Sequence, residues 1–270
     1  MTNVGTAHLA MYDGPEAIIA AKGELVRALP RTGVAVLNAD DDACAALTAI
    51  TAARVLRCRV AAGAAVGPDA DVWADAVTLD DALRPSFRLH TPWGDGDARV
   101  AARGRHQVAN AVAAAAAALA SGSSLEHVLT GLATGSLSPW RMDVTVATSG
   151  AIIINDSYNA NPGSMAAALH ALSELRADRR IAVLGTMAEL GDAGPVEHLR
   201  ITALARSLGI DVVIAVAEPA YGAVTVDGSA SALDMLSALR IGDGDAVLVK
   251  GSRVAGLESL AATLVGADRR

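Results

Sequence analysis

The sequence predicts an α/β protein whose second half contains a mostly parallel sheet. From Met142 onward, short apolar runs alternate with helical segments of about ten to fifteen residues, the pattern of βαβ units. Hydrophobic residues make up 52% of the 270-residue chain, while aromatic residues make up only 3%. Ala, Val and Leu must therefore build its cores. Finally, the apolar run 151–154 leads directly into a polar segment, as happens at the carboxyl end of a buried strand.

The first half of the sequence also shows patterns that are typical of helices and strands. Alternating runs between residues 71 and 100 predict antiparallel strands, with a turn at 92–95. The other predicted elements are helix 16–29, which Pro30 ends, strand 33–38 with an acidic turn at 39–42, a second helix, strand 54–60, and helices 107–121 and 125–134.

In the second half, predicted strands alternate regularly with predicted helices. We therefore place a domain boundary near Asp143, which gives domains 1–143 and 144–270. We expect residues 147–270 to fold independently because they form a complete alternating sheet. We expect the first half to be less stable when it folds alone. The predicted elements are strands 144–147 and 151–155, helix 164–175, strand 180–185, helix 195–208, strand 211–216, helix 230–239, strand 245–249 and helix 255–265.

Charge and composition exclude several classes of function. A formal net charge of −7 argues against general binding to nucleic acid or to membrane surfaces. Two cysteines, Cys44 and Cys58, can neither frame a disulfide scaffold nor complete a zinc site. The longest apolar run, 108–120, is too short to cross a bilayer, and no signal peptide is evident. We expect a soluble, monomeric, cytoplasmic protein that acts on small molecules.

Two segments carry polar groups suited to binding, and each also has an ordinary structural explanation. In the loop 154–165, short Asp and Asn side chains could bond a ribose hydroxyl or a substrate amide. Alternatively, that loop is an Asx-rich turn that caps the next helix. The segment 104–111 opens a helix with a basic pair, and this helix N-terminus could hold phosphate or the edge of a base. Alternatively, it is an ordinary capped helix start.

Seven short segments in sequence order together resemble the Mur ligase superfamily, the ATP-dependent amide-forming enzymes of peptidoglycan assembly. The segments are TNVGTAHL, AAKGEL, VLNADDD, GRHQVANA, NDSYNANPGSM, LGTMAELG and VKGSR. The resemblance implies the C-terminal part of a Mur-type ATPase domain followed by a Rossmann-like α/β ligase domain. The pair SYNANPGSM and GTMAELG is typical of members that add D-alanyl-D-alanine to UDP-N-acetylmuramoyl-tripeptide.

The resemblance also implies a nucleotide and metal site for ATP and Mg²⁺. His8 corresponds to the magnesium-binding histidine, and Lys22 to a lysine carried as a carbamate, which would convert a cation into an oxygen ligand. That modification needs a lysine that loses its proton easily, as burial can arrange. Asn110 and Gln107 correspond to residues that face adenine. Arg141 and Asp156 correspond to residues that hold the nucleotide. Arg141 is also a catalytic candidate, together with His8 and Lys22.

A second set of residues is implied to line the site of the incoming dipeptide. Arg253 could receive a carboxylate in bidentate fashion, although a structural salt bridge explains it equally well. The residues of this set are Tyr158, Asn159, Asn161, Ser164, Glu189, Lys250, Ser252 and Arg253.

The sequence departs from the family pattern at several points. Gln107 stands where asparagine is common, Trp140 where glycine is usual, and Ala10 where an acidic residue is common. No G-x-x-x-x-G-K-[ST] phosphate loop occurs in the 270 residues, so we expect this chain alone to be inactive or nearly so. The alternative function is a non-catalytic module that binds a nucleotide or a peptide. A dinucleotide oxidoreductase is disfavoured, because no strand leads into G-x-G-x-x-G.

Overall fold

The computed structural model describes residues 1–4, 14–61, 69–136 and 138–266. These residues form two compact units, the first ending at Ser136 and the second covering the described residues from 138 onward. Asp143, near which the sequence predicts a domain boundary, is the first residue of a strand in the second unit. Each unit has its own sheet and its own core.

The first unit contains a five-stranded sheet whose strands follow one another in chain order. The first three strands are parallel and the last two antiparallel, which confirms the antiparallel pairs predicted between residues 71 and 100. The strands are β1 (Val34–Asn38), β2 (Arg54–Val60), β3 (Val72–Leu79), β4 (Pro85–His90) and β5 (Gly96–Arg99). The helices are α1 (Pro15–Arg27), α2 (Asp42–Ala46), α3 (Gln107–Ala120) and α4 (Leu125–Thr134).

The alanine-rich helix α3 packs against this sheet along a single stripe. The α3 residues that belong to the core recur three or four positions apart, the spacing of one helix face. Alanine side chains let a helix backbone lie close to the strands, which suits a core with few aromatic residues. The stripe consists of Val108, Ala111, Val112, Ala115, Ala116 and Leu119.

The second unit contains a six-stranded sheet in the order β10-β9-β8-β11-β7-β6. All neighbours are parallel except β6, which runs antiparallel to β7. The strands are β6 (Asp143–Val146), β7 (Ile152–Asp156), β8 (Arg179–Leu184), β9 (Val212–Val216), β10 (Val224–Val226) and β11 (Asp245–Lys250). The helices are α5 (Pro162–Glu174), α6 (Gly194–Ser207), α7 (Ser229–Ala238) and α8 (Glu258–Val265).

Strand β11 is the centre of the second unit, because all six of its residues are buried. The chain moves outward from β7 to β10 and then returns to insert β11 between β7 and β8. Helices α5 and α6 pack against each other, as do α7 and α8, and residues Val247 and Val249 of β11 share a core with the α7–α8 pair. This is a doubly wound arrangement, in which ligands bind beyond the carboxyl ends of the strands.

Two details differ from the sequence prediction. Strand β10 has three residues, which is too short to show a pattern in the sequence. Helix α8 begins at Glu258 rather than at 255, because residues 253–255 form a separate 3-10 turn that Gly256 ends in the left-handed conformation. No helix in the described part of the chain combines the length and apolar content needed to cross a bilayer.

Candidate functional site

Three loops of the second unit meet where β7, β11 and β8 end. Because these strands are parallel and adjacent, the loops that follow them, at 157–161, 251–257 and 185–190, leave the same edge of the sheet. Two of the loops begin with glycine. A Cβ on Gly185 would lie 2.8 Å from the Cβ of Ala255, and one on Gly251 would lie 3.1 Å from the Cα of Gly185. The two backbones therefore approach closely, which only glycine permits.

A buried ion pair joins the carboxyl ends of β7 and β11. The Lys250 side chain is 2% exposed, and its Nζ donates to Asp156 Oδ2 at 2.6 Å and to the Asn159 carbonyl at 2.9 Å. Burial lowers the pKa of Lys250, with the positive charge of Arg141 acting in the same direction and Asp156 opposing it. The pair fixes the position of the Asp156 carboxylate and the path of the loop that follows β7.

The segment before β6 is attached to the same carboxylate. Asp156 Oδ1 accepts the Met142 amide at 3.0 Å, and the Trp140 amide is bound by Asp143 Oδ2 at 2.7 Å. Trp140 and Met142 have φ values of 60° and 54°, which is unusual for residues other than glycine. Such strained conformations persist where the surroundings hold them, and they cluster at functional sites.

Two arginines stack on aromatic rings beside these strained residues. The Arg141 guanidinium lies 4.0 Å from the centre of the Tyr158 ring, and that of Arg253 lies 4.2 Å from the Trp140 ring. Arg253 also approaches Glu258 at 3.8 Å, with half of its side chain exposed. Stacking limits the conformations of both guanidinium groups and leaves edges that can bind an anion.

Several polar residues of the 154–165 loop are engaged in shaping the loop itself. Asn161 and Ser164 form a reciprocal capping box at the start of α5, so the structural explanation applies to both. Asn155 Oδ1 accepts from the backbone and hydroxyl of Ser157, and Asn159 Oδ1 from the Ala160 amide. Tyr158, a member of the predicted substrate set in this loop, is 41% exposed and stacks with Arg141.

The loop after β8 is held by side chains from three other segments. The Met187 amide donates to His198 Nε2 of α6 at 3.0 Å, and the Ala188 amide donates to Ser252 Oγ at 2.9 Å. The Ser252 hydroxyl donates in turn to the Ala160 carbonyl at 3.1 Å, joining all three loops. The Tyr221 hydroxyl donates to the Gly185 carbonyl at 2.8 Å. Sequence reasoning missed His198 and Tyr221, because they lie 11 and 36 residues from the loop residues that they bond and no local pattern marks them.

The candidate residues of the first unit have fewer partners among the described residues. Lys22 is half-buried, and its Nζ donates to the Asn3 carbonyl at 3.3 Å. Asn110 Nδ2 donates to Gln107 Oε1 at 2.9 Å across one turn of α3. His8 lies outside the described residues. Within the ranges that the structure describes, no three His, Cys, Asp or Glu side chains gather into a group that could hold a metal ion.

Two family models match the chain in sequence order. The model for the Mur ligase middle domain matches residues 1–118, and the model for the Mur ligase, glutamate ligase domain matches residues 140–253. Together they leave only short stretches of the chain unmatched.

Individual relatives agree with these models. A UDP-N-acetylmuramoyl-tripeptide--D-alanyl-D-alanine ligase of Mycobacterium tuberculosis (strain CDC 1551 / Oshkosh) is 42% identical over 98% of this chain and 57% of its own length. A ligase of the same name from Escherichia coli (strain K12) is 32% identical over 98% of this chain and 59% of its own. A crystal structure of MurF from Acinetobacter baumannii superposes with a TM-score of 0.87 at 33% identity, covering 98% of this chain and 58% of that one. The chain thus spans a little over half the length of the relatives it matches.

Proposed function

This chain belongs to the Mur ligase family, and from that premise we propose that it forms the carboxyl-terminal part of an ATP-dependent amide ligase. We assign residues 1–143 to the middle domain and 144–270 to the Rossmann-like ligase domain. The proposed reaction adds D-alanyl-D-alanine to UDP-N-acetylmuramoyl-tripeptide in peptidoglycan synthesis, within the cytoplasm and by a monomer. The observation that carries the proposal is the match of nearly the whole chain to ligases of that name.

The proposed chemistry has two stages. ATP phosphorylates the terminal carboxylate of the tripeptide, which yields an acyl phosphate and ADP. The amine of D-alanyl-D-alanine then attacks the acyl carbon, and the tetrahedral intermediate collapses with release of inorganic phosphate. Phosphoryl transfer of this kind depends mainly on positioning and on neutralising charge, and an acyl phosphate must be kept from water.

For the nucleotide, the second unit offers Asp156 and Arg141. Both oxygens of Asp156 are already bonded, to Lys250 and to the Met142 amide, yet a carboxylate can accept about four hydrogen bonds. A ribose hydroxyl could therefore donate to a carboxylate whose orientation is already fixed. Arg141 is exposed and stacked on Tyr158, which suits it to a phosphate oxygen. Asn110 and Gln107 of the first unit are proposed to face adenine.

For the dipeptide, the second unit offers charges of both signs. Arg253, stacked on Trp140, could receive the terminal carboxylate, and Glu189, on the loop after β8, could attract the incoming amine. Tyr158 and Asn159 are exposed on the loop after β7. Ser252, Lys250, Asn161 and Ser164 contribute by holding these loops in place.

The magnesium and carbamate roles of His8 and Lys22 rest on the resemblance alone. Mg²⁺ usually takes only one or two ligands from the protein and the rest from phosphates and water, and Lys22 Nζ donates to the Asn3 carbonyl at 3.3 Å. The carbamate has a direct test, ¹³C NMR of the chain in ¹³C-bicarbonate. We expect a carbamate resonance that Lys22→Gln removes and that persists in Lys250→Gln. A resonance that survives Lys22→Gln would contradict the assignment.

The ligase activity can be tested with a chimera in which residues 1–270 replace the aligned region of the Escherichia coli relative. We expect phosphate release that requires ATP, UDP-N-acetylmuramoyl-tripeptide and D-alanyl-D-alanine together. L-alanyl-L-alanine, of the same composition, should not support it. A folded chimera that binds ADP or the dipeptide without any such turnover would instead favour the binding-module alternative.

A further inference from the structure

His198 is a buried histidine whose two ring nitrogens each face a backbone group. It is 3% exposed in helix α6, where its Nδ1 lies 2.7 Å from the Gly194 carbonyl oxygen and its Nε2 lies 3.0 Å from the Met187 amide nitrogen. A carbonyl oxygen can only accept, and a backbone amide can only donate. Both bonds form together only when the ring is neutral with its hydrogen on Nδ1.

The surroundings of the ring keep it in this orientation. The Tyr221 ring packs edge-on against it, with 4.6 Å between the ring centres. The Glu218 carboxylate lies 3.7 Å from Nε2, too far for a hydrogen bond. The acceptor face of the imidazole is therefore directed at the Met187 amide.

The amide that His198 holds lies two residues before a strained position. Glu189 has a φ of 66° and is followed by Gly191 at 54°, so the chain turns sharply there through left-handed conformations. A left-handed glutamate persists only where neighbouring contacts hold it. Those contacts include the two consecutive amides, Met187 on His198 and Ala188 on Ser252.

We propose that His198 is a positioning residue that fixes the loop 185–190, and through it the Glu189 side chain, for the incoming dipeptide. The positioning rests on these contacts, whereas its consequence for the dipeptide rests on the proposed function. His198 does not touch the reacting groups in this scheme; it acts through the backbone that presents Glu189.

A matched pair of variants separates this role from general packing. In His198→Gln the amide oxygen can take the place of Nε2 as acceptor, whereas in His198→Asn the shorter side chain can replace only Nδ1. Thr202→Val serves as a control, because Thr202 is buried on α6 one turn from His198 and its hydroxyl bonds the His198 carbonyl at 3.4 Å. The primary measurement is amide hydrogen exchange in the 270-residue chain without ligand.

We expect Met187 exchange to accelerate by about tenfold or more in His198→Asn, to stay within about threefold of wild type in His198→Gln, and to be unchanged in Thr202→Val. Equal protection of Met187 in all four proteins would overturn the positioning role. Equal acceleration in the Gln and Asn variants would overturn it as well, since it would show that only packing matters.

Titration with D-alanyl-D-alanine, followed by the amide resonances of residues 185–190, tests the link to the dipeptide. We expect His198→Asn to weaken binding by about tenfold and His198→Gln to bind nearly as wild type does. If the wild-type chain shows no binding while the exchange results stand, the assignment of the dipeptide site fails and the positioning of the loop does not. Equal affinity of the wild-type and Asn proteins would overturn the proposed consequence for the dipeptide.

Discussion

Lys22 in the first unit and Lys250 in the second are both conspicuous in the sequence, yet their surroundings are opposite. Lys22 is half-buried and, among the described residues, bonds a backbone carbonyl at 3.3 Å. Lys250 is almost fully buried and bonds the Asp156 carboxylate at the end of β7 and the Asn159 carbonyl in the loop that follows. The buried contacts of Lys250 hold two strand ends and a loop together, whereas the proposed role of Lys22 is chemical. Substitution of Lys22 should report on chemistry, and substitution of Lys250 should report on folding.

The largest expected effect is the loss of stability in Lys250→Ala. Removal of the ammonium leaves the Asp156 carboxylate, with 14% of its side chain exposed, without its counter-charge, a change that typically costs about 3–5 kcal/mol of unfolding free energy. Lys22→Ala should cost less than about 1 kcal/mol, because a partly exposed side chain with a long hydrogen bond contributes little. Urea denaturation followed by circular dichroism measures both. Similar losses in the two variants would contradict the contrast between the two lysines.

A pair of glycines extends the comparison to the backbone. In Gly185→Ala the added methyl group meets the Cβ of Ala255 at 2.8 Å, and overpacking of this kind costs about 1–3 kcal/mol. A methyl group added to Gly131, in helix α4 of the first unit, would meet no described atom within 4 Å, so Gly131→Ala should stabilise by about 0.5–1 kcal/mol. Urea denaturation of both variants measures the two changes. Changes of the same sign would show that the close approach of the loops after β8 and β11 does not restrict position 185 to glycine.

The third expected effect is the pH dependence of the stability that Asp245 contributes to the second unit. Hydrogen bonds from the Arg179 guanidinium, with a further one from the Gly242 amide, hold the pKa of Asp245 below its usual 3.8. Because the pKa is lower in the folded state, the stabilisation is present above pH 3.8 and is lost as the pH falls through the folded-state pKa. We expect Asp245→Asn to be less stable than wild type at pH 7, and the difference to shrink in acid. A difference that does not change between about pH 7 and about pH 3 would exclude this linkage.

The fold of the second unit could be predicted from the sequence to a greater extent than the contacts of its candidate site. The alternating pattern of the second half was sufficient to predict β7, β8, β9, β11 and the helices between them, because buried parallel strands and amphipathic helices have strong local signals. The motif after β7 correctly marked a strand end with Asp156. The partnership of Asp156 with Lys250 spans 94 residues, and no local pattern encodes it. His198 and Tyr221 were missed for the same reason, since each acts on a loop that is distant in the chain.

The smallest expected effect concerns Trp140, a non-glycine residue in the left-handed conformation. Its backbone lies at a φ of 60°, so a glycine there would remove strain of about 1 kcal/mol. The same change would remove the stack of Arg253 on the ring, worth about 0.5–1 kcal/mol at an exposed site. Trp140→Gly should therefore change the unfolding free energy by less than about 1 kcal/mol, whereas Trp140→Ala, which loses the ring and keeps the strain, should be the less stable of the two. Thermal unfolding of the wild-type protein and of the two variants measures this order of stability. An alanine variant as stable as the glycine variant would show that the left-handed backbone at Trp140 stores no strain. If the order holds, the tryptophan contributes little net stability, and its contact with Arg253 is then best explained by the orientation it gives that guanidinium group.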